Sequence, residues 1–263
     1  MKYFVIALAI ALHLSSCSSN EQPLQEGPID VDTAKIELDS MVEKGPPVVV
    51  WPYLSNDNCE EFLTEFAADN PESKVRIKTK FGDIEMELFD DTPLHRSSFI
   101  YLVKRAYFNP TEFVRIVKGF VVQGGNSEKM LASQKRFIMG SYTIPSEIKQ
   151  GHPHLRGALA MSRSYTNNPE KRSSAYDFYI VHGTVPSKTE IYEAKKSNSW
   201  KYRNDHMRLY KKRGGTIHLD GEHTVFGKVT KGMDVVDIIA ALPTDDTDWP
   251  KEYVEMNIEL IIE

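Results

Sequence analysis

The stretch of sequence from residue 113 to residue 126 reads FVRIVKGFVVQGGN and contains two short apolar runs. The first run covers residues 113–117, the second covers residues 120–123, and Gly119 lies between them. Short runs that are rich in Val, Ile and Phe and bounded by glycine are typical of β-strands. Runs of the same kind recur at 158–161, 178–181 and 225–229. So many short strands predict a β-sandwich or a β-barrel.

The periodicity on both sides of this stretch extends the pattern. Residues 75–88 alternate between apolar and polar side chains around a turn, which predicts a β-hairpin, and residues 92–107 carry a helical stripe. Residues 232–242 predict a second short helix, and residues 254–262 alternate strictly, as in a strand with one buried face. Two helices among about eight strands suit a closed barrel with helices over its open ends, although periodicity alone leaves closure open.

Two other segments have helical patterns. Residues 60–73 carry apolar side chains at helical spacing, which predicts a short helix that packs on the barrel. Residues 187–215 are an insertion that begins with a capping box, from Ser187 to Glu190, and ends at two glycines, so we predict one or two helices there. The insertion holds six Lys and three Arg against three acidic residues. It could contact an acidic partner or lipid headgroups, but a solvated helical decoration is the favoured interpretation.

Composition indicates an ordinary globular protein, because 41% of the 263 residues are apolar and 26% are charged. This amount of apolar sequence suffices for one hydrophobic core, so we predict one domain with tails. The formal net charge is −5. An acidic balance supplies no basic surface for DNA or RNA, and we expect no nucleic-acid partner.

The first residues have the pattern of an export signal. Lys2 precedes an apolar run at residues 3–14 that is too short to span a bilayer, which predicts a signal peptide over residues 1–16. The run ends in Leu14-Ser15-Ser16-Cys17, which resembles the lipobox of bacterial lipoproteins. That resemblance implies a lipid on Cys17 and a protein anchored in the cell envelope and facing the periplasm. Ser18 after Cys17 favours the outer membrane over the inner, by the sorting rule of some bacteria. An ordinary signal peptide is the alternative.

A polar and acidic segment follows the predicted lipid site. Residues 17–59 can bury little apolar surface, so we predict a flexible tether there; the apolar patch at residues 46–53 has no predicted role. Cys17 and Cys59 are the only cysteines, which argues against a disulfide framework. Cys59 is expected to be a buried thiol rather than a nucleophile, because no nucleophile motif surrounds it.

The 113–126 stretch resembles the signature of the cyclophilin-type peptidyl-prolyl cis-trans isomerases, F-H-R-[IV]-[IV]-x-G-F-x-x-Q-G-G-D. Three more motifs of that family follow in order, namely GALAM at 157–161, FYI at 178–180 and LDGEHTVFGKV at 219–229. The resemblance covers residues 74–263. It implies a mainly β fold, a closed eight-stranded antiparallel β-barrel capped by two α-helices, which agrees with the periodicity.

The resemblance also implies function. It implies a monomeric enzyme without cofactor or metal that rotates X-Pro bonds in proline-containing polypeptides. Matched position by position, Arg115 and Gln123 are the implied catalytic residues. The implied substrate-binding residues are Phe113, Phe120, Val121, Met161, Ser162, Arg163, Asp177, Tyr179, His218, Leu219 and His223.

Four positions depart from the family's pattern. Val114 replaces a histidine, Arg163 replaces an asparagine and Asp177 replaces a glutamine. His218 replaces a tryptophan that is associated with cyclosporin binding, so sensitivity to that drug is doubtful. We expect Arg163 and Asp177 to pair across the groove; the alternative is that Asp177 pairs with Arg115. Two histidine pairs, His152 with His154 and His218 with His223, could suggest a metal site. We expect none, because no further ligand is suitably spaced for either pair.

The leading hypothesis is an isomerase that assists the folding of exported proteins. The rival is a weakly catalytic or non-catalytic barrel that binds proline-containing segments as a chaperone. A lipocalin-like ligand barrel would not explain the 113–126 motif.

Overall fold

A computed structural model describes residues 51–197 and 200–262. The predicted signal peptide, the predicted lipid site at Cys17 and residues 17–50 of the predicted tether lie outside the described residues. Within the described ranges, no helix is both long enough and apolar enough to cross a membrane.

Eight strands close into an antiparallel barrel, which confirms the predicted fold class. The barrel strands are β1 (Lys74–Thr79), β2 (Gly82–Leu88), β3 (Thr111–Val117), β4 (Val121–Gly124), β6 (Ala158–Met161), β8 (Phe178–Val181), β9 (Val225–Lys231) and β10 (Glu255–Leu260). Their order around the barrel is β1-β10-β3-β4-β8-β6-β9-β2. Two short strands, β5 (Thr143–Ile144) and β7 (Ser173–Ser174), pair with each other outside it.

The alternation of apolar residues fixes which face of each strand is buried. In the β1–β2 hairpin, Val75 lies opposite Met86 and Ile77 lies opposite Ile84, and all four side chains are buried. Ile258 on β10 lies opposite Ile77 on its other side. Because successive side chains of a strand point to opposite faces, this register sends one apolar set into the barrel interior.

The described residues contain six α-helices. They are α1 (Cys59–Asp69), α2 (Pro93–Lys104), α3 (Met130–Met139), α4 (Lys188–Ser197), α5 (Asn204–Arg213) and α6 (Met233–Ala240), and a short 3₁₀ helix covers Ile217–Leu219. Helices α2 and α6 contribute buried side chains to the main core, among them Phe99 and Ile239. A proline in the first turn of α2 suits the helix start, where no backbone N–H partner is required.

The insertion at 187–215 contains α4 and α5, and it packs around a small cluster of its own. The buried members are Ala194, Tyr210 and Ile217. The predicted capping box is present at the start of α4, because the Glu190 backbone N–H donates to Ser187 Oγ and the Glu190 carboxylate accepts from the Ser187 backbone N–H.

The prediction of a tether that extends to residue 59 is wrong at its end. Leu54 is fully buried, and its backbone N–H donates to the carbonyl oxygen of Met139 at 2.9 Å. The Trp51 ring lies 5.4 Å from the Tyr101 ring, centre to centre. The last part of the apolar patch is thus packed on the domain, and the apolar side chains are the physical reason. Cys59 is buried, as expected, and burial raises the pKa of its thiol.

Candidate active site

Three neighbouring strands bring the central side chains of the site into one row. Arg115 on β3 lies opposite Gln123 on β4, and Gln123 lies opposite Tyr179 on β8. Tyr179 is in turn opposite Ala160 on β6. Directly opposed residues point to the same face of a sheet, so the row of Arg115, Gln123 and Tyr179 shares the outer face of the barrel wall with Ala160 beside it.

The row forms one side of a groove of about 300 Å³. The opposite wall comes from the chain after the insertion, where the 3₁₀ helix supplies Leu219 and the following loop supplies His223. The lining residues are Arg115, Phe120, Val121, Gln123, Ser162, Arg163, Tyr165, Asp177, Tyr179, Leu219 and His223. Ten of the thirteen predicted site residues outside the leader therefore meet in one place.

One end of the groove is apolar. Val121, Tyr179 and Leu219 are buried together in a cluster that lies outside the barrel core, and Phe120 packs against it. We call these four residues the apolar cup. The same cluster contains two small buried side chains, Ala158 and Ala160. An apolar recess of this size suits a pyrrolidine ring.

Arg115 stands beside the cup and is partly exposed. Its guanidinium carbon is 5.8 Å from the centre of the Phe120 ring. The guanidinium also pairs with Asp248, with Nη2 at 3.1 Å and Nε at 3.2 Å from Oδ2. Both side chains of this pair are about 40% exposed, at 39% and 42%, and exposed pairs contribute at most about 1 kcal/mol. A substrate can therefore compete for Arg115.

Gln123 and Asp177 form the polar floor of the groove. Gln123 Nε2 donates to both carboxylate oxygens of Asp177, at 3.0 Å each. Burial raises the pKa of Asp177 to about 6, against the opposing effect of hydrogen bonds from Gln123 and Ser162. The groove thus contains a carboxylate whose charge changes near neutral pH.

Both predicted partners of Asp177 are wrong. Arg163 pairs with Glu222, whose Oε2 is 2.6 Å from Nη2, and its Nε donates to the Glu222 carbonyl oxygen. Arg115 pairs with Asp248, as described above. Arg163 reaches the loop that carries His223 instead of crossing the groove, because its guanidinium finds two acceptors on Glu222.

His223 is held as a neutral ring. Burial lowers its pKa to about 4. Its Nδ1 is 3.1 Å from the Met161 carbonyl oxygen, which can only accept, so Nδ1 carries the proton. Nε2 then accepts from the Tyr165 hydroxyl at 2.7 Å. This histidine fixes the groove wall and brings no charge at neutral pH.

Three of the predicted site residues do not line the groove, namely Phe113, Met161 and His218. The side chains of Phe113 and Met161 lie in the barrel core, so their assignment to substrate binding is corrected. A register shift between Phe113 and Arg115 turns these two residues to opposite faces, although residues two apart normally share one. His218 stacks on the Phe120 ring at 5.3 Å and lines a neighbouring cavity with it.

Sequence reasoning missed three residues that contact the site, namely Tyr165, Glu222 and Asp248. Glu222 lies inside the LDGEHTVFGKV motif, so its position was visible, whereas nothing in the sequence linked Asp248 to Arg115.

The two histidines of the first pair are hydrogen-bonded to carboxylates, His152 to Asp91 and His154 to Asp220. Among residues 51–197 and 200–262, no group of three or more His, Cys, Asp or Glu could hold a metal ion.

Barrel and groove together define a cyclophilin-like protein, and comparisons with known proteins agree. A family model described as "Cyclophilin type peptidyl-prolyl cis-trans isomerase/CLD" matches residues 74–259. A peptidyl-prolyl cis-trans isomerase of Acinetobacter baylyi is 32% identical over 188 residues, which are 71% of this chain and 82% of that protein. Peptidyl-prolyl cis-trans isomerase-like 2 of Rhizopus delemar is 31% identical over 186 residues, 70% of this chain but only 28% of that longer protein.

Solved structures share the fold. A cyclophilin-type isomerase of Cryptosporidium parvum superposes with a TM-score of 0.52 at 22% identity, covering 73% of this chain and 99% of that one. The chain belongs to the cyclophilin-type peptidyl-prolyl cis-trans isomerase family, and its activity class is isomerisation of the peptide bond before proline.

Proposed function

We propose that this chain rotates X-Pro bonds in exported proteins, with Arg115 as the catalytic residue and Gln123 in support. The observation that carries the proposal is the row of Arg115, Gln123 and Tyr179 beside the apolar cup. This row places the permanent positive charge of Arg115 next to a recess for the proline ring, on three strands of the barrel.

The reaction requires no covalent intermediate. Rotation of an X-Pro bond breaks amide resonance and has a barrier of about 20 kcal/mol, which places the uncatalysed step on the scale of tens of seconds. An enzyme accelerates it by binding the twisted state more tightly than either planar isomer. In the twisted state the prolyl nitrogen becomes pyramidal and regains a lone pair.

Each groove residue has a role in that scheme. The apolar cup holds the proline ring, so that the carbonyl on the other side of the bond turns about a fixed axis. The Arg115 guanidinium donates toward the nitrogen lone pair, which exists only in the twisted state. Because Asp177 holds the Gln123 amide nitrogen, we assign the Gln123 amide oxygen to a backbone N–H of the substrate. The substrates are proline-containing polypeptides, and we propose that the enzyme acts as a monomer.

The rival function is peptide binding without turnover, and the ion pair between Arg115 and Asp248 is the observation that favours it. A single assay separates the two functions. The purified chain is added to a short proline peptide, and the rate of cis-trans conversion is measured. An isomerase gives a rate that rises in proportion to the chain's concentration. A binding module gives saturable peptide binding with an unchanged conversion rate.

The place of action is part of the proposal. The apolar run at residues 3–14 and the lipobox-like residues 14–17 support export, lipid attachment at Cys17 and anchoring in the cell envelope facing the periplasm. Expressed in a bacterial host, the parent chain should sediment with the membranes, and Cys17→Ser should appear in the soluble fraction with unchanged peptide turnover. An ordinary signal peptide instead predicts that parent and variant are both soluble.

A further inference from the structure

Tyr179 differs from the family's F-F-I pattern by a hydroxyl group, and this hydroxyl has a buried partner. The Tyr179 hydroxyl is 3.1 Å from Nε2 of His154. Tyr179 is 3% exposed and His154 is 1% exposed. The hydroxyl therefore points away from the groove, into the protein, while the ring forms part of the apolar cup.

His154 continues the contact to Asp220. Oδ1 of Asp220 accepts from the His154 backbone N–H at 2.7 Å and lies 3.0 Å from Nδ1. A carboxylate only accepts, so Nδ1 carries a proton and, in the neutral ring, Nε2 accepts from the Tyr179 hydroxyl. With that tautomer, Asp220 accepts from His154 and His154 accepts from Tyr179.

The chain of contacts ends in the insertion. The Tyr210 hydroxyl, on helix α5, donates to Oδ2 of Asp220 at 2.7 Å. Tyr210 and Asp220 are both fully buried. Burial raises the pKa of Tyr179 and of Tyr210, and the nearby Asp220 charge adds to both effects, so both hydroxyls stay protonated as donors.

The backbone after α5 makes this approach possible. Gly215 has a φ of +151°, and a Cβ there would lie 2.3 Å from the His154 carbonyl oxygen and 2.7 Å from the Tyr210 ring. The Thr216 backbone N–H donates to the same carbonyl at 2.8 Å. The end of the insertion is thus packed directly against His154, which holds α5 at the distance that Tyr210 needs.

We propose that Tyr210 is a positioning residue for isomerisation, which acts through Asp220 and His154 to hold the Tyr179 ring in the apolar cup. The 187–215 insertion then influences the geometry of the substrate pocket through the side of the Tyr179 ring that faces the protein interior. Buried hydrogen bonds in series are strong in a low-dielectric interior and restrict each member to one orientation. The inference rests on the proposed function, because it concerns the rate of that reaction.

The test is a double-mutant cycle on the purified chain with a short proline peptide. Tyr210→Phe keeps the ring and removes the donor, and we expect kcat/KM to fall by roughly three- to tenfold, the worth of one buried hydrogen bond. The fall should lie in kcat, because proline still enters the cup but is misaligned with Arg115. In the Tyr179→Phe background the same Tyr210→Phe change should have no further effect, because the connection is already cut.

Tyr202→Phe is the matched control. It removes another insertion hydroxyl, which donates to the Ile217 carbonyl oxygen, and it should leave kcat/KM unchanged. An equal loss from Tyr210→Phe in both backgrounds, or no loss in the parent, would overturn the inference. Tyr179→Phe gives a second check that does not depend on Tyr210: if that variant turns over as fast as the parent, the hydroxyl positions nothing. A parent without turnover would instead refute the proposed function.

Discussion

Arg115→Ala is expected to lower kcat/KM for a proline peptide by about 100-fold, the usual effect of removing one preorganised donor from a transition state. The reason is that the guanidinium is the only positive group assigned to the prolyl nitrogen, and its bonds form fully only in the twisted state. The fold should survive, since Arg115 is partly exposed and its pair with Asp248 lies at the surface. Turnover and thermal unfolding are measured on the same preparation.

Two further variants distinguish loss of the catalytic guanidinium from loss of the ion pair and of the local structure. Asp248→Asn removes the ion-pair partner and leaves Arg115 in place, so activity should be retained or rise. Asn also tolerates the positive φ of +65° at this position. Arg115→Lys keeps the charge but loses the fork of donors, and a partial loss is expected. Arg115→Ala with the parent's activity would contradict the assignment.

The barrel could be predicted from sequence because its determinants are local. Its strands read either as alternating segments, as in β1 with Val75 and Ile77 buried, or as short apolar runs, as in β6 and β8, and neither pattern needs knowledge of the partner strand. The same holds for the row of site residues, which lies within one hairpin and one neighbouring strand. Arg115, Phe120 and Gln123 were therefore correctly grouped.

Errors arose where the outcome depends on three-dimensional placement. Phe113 was assigned to the groove from its match to the family motif, but the register shift between Phe113 and Arg115 turns the Phe113 side chain to the opposite face. Arg115 and Asp248 are 133 positions apart, and surface ion pairs depend on loop geometry that no periodicity encodes. Helix α3 was missed because it has no buried stripe: Met130 and Phe137 are 77% and 84% exposed.

Asp177→Asn is expected to stabilise the domain at pH 7.5 by about 2 to 3 kcal/mol. The pKa of Asp177 rises from an ordinary 3.8 to about 6 on folding, mainly through burial. The folded chain then binds a proton more tightly than the unfolded chain, so the free energy of unfolding falls as pH rises from about 4 to 6 and stays lower above that range. A neutral amide at position 177 has no charge to bury, so this fall in the free energy of unfolding should disappear. Denaturant unfolding between pH 4.5 and 7.5 should show a slope in the parent that the variant lacks.

The same carboxylate should affect catalysis. Above pH 6 its negative charge lies in the groove that contains Arg115 and opposes the positive potential at the prolyl nitrogen. For the parent we therefore expect kcat/KM to rise as pH falls from 7.5 to 5, whereas Asp177→Asn should stay flat. His223 does not interfere in this range, because its pKa is near 4. Asp248→Asn, which removes an exposed carboxylate from the groove rim, should keep the parent's pH profile. If the Asp177 variant kept both the slope in stability and the rise in activity, another group would be the one that titrates.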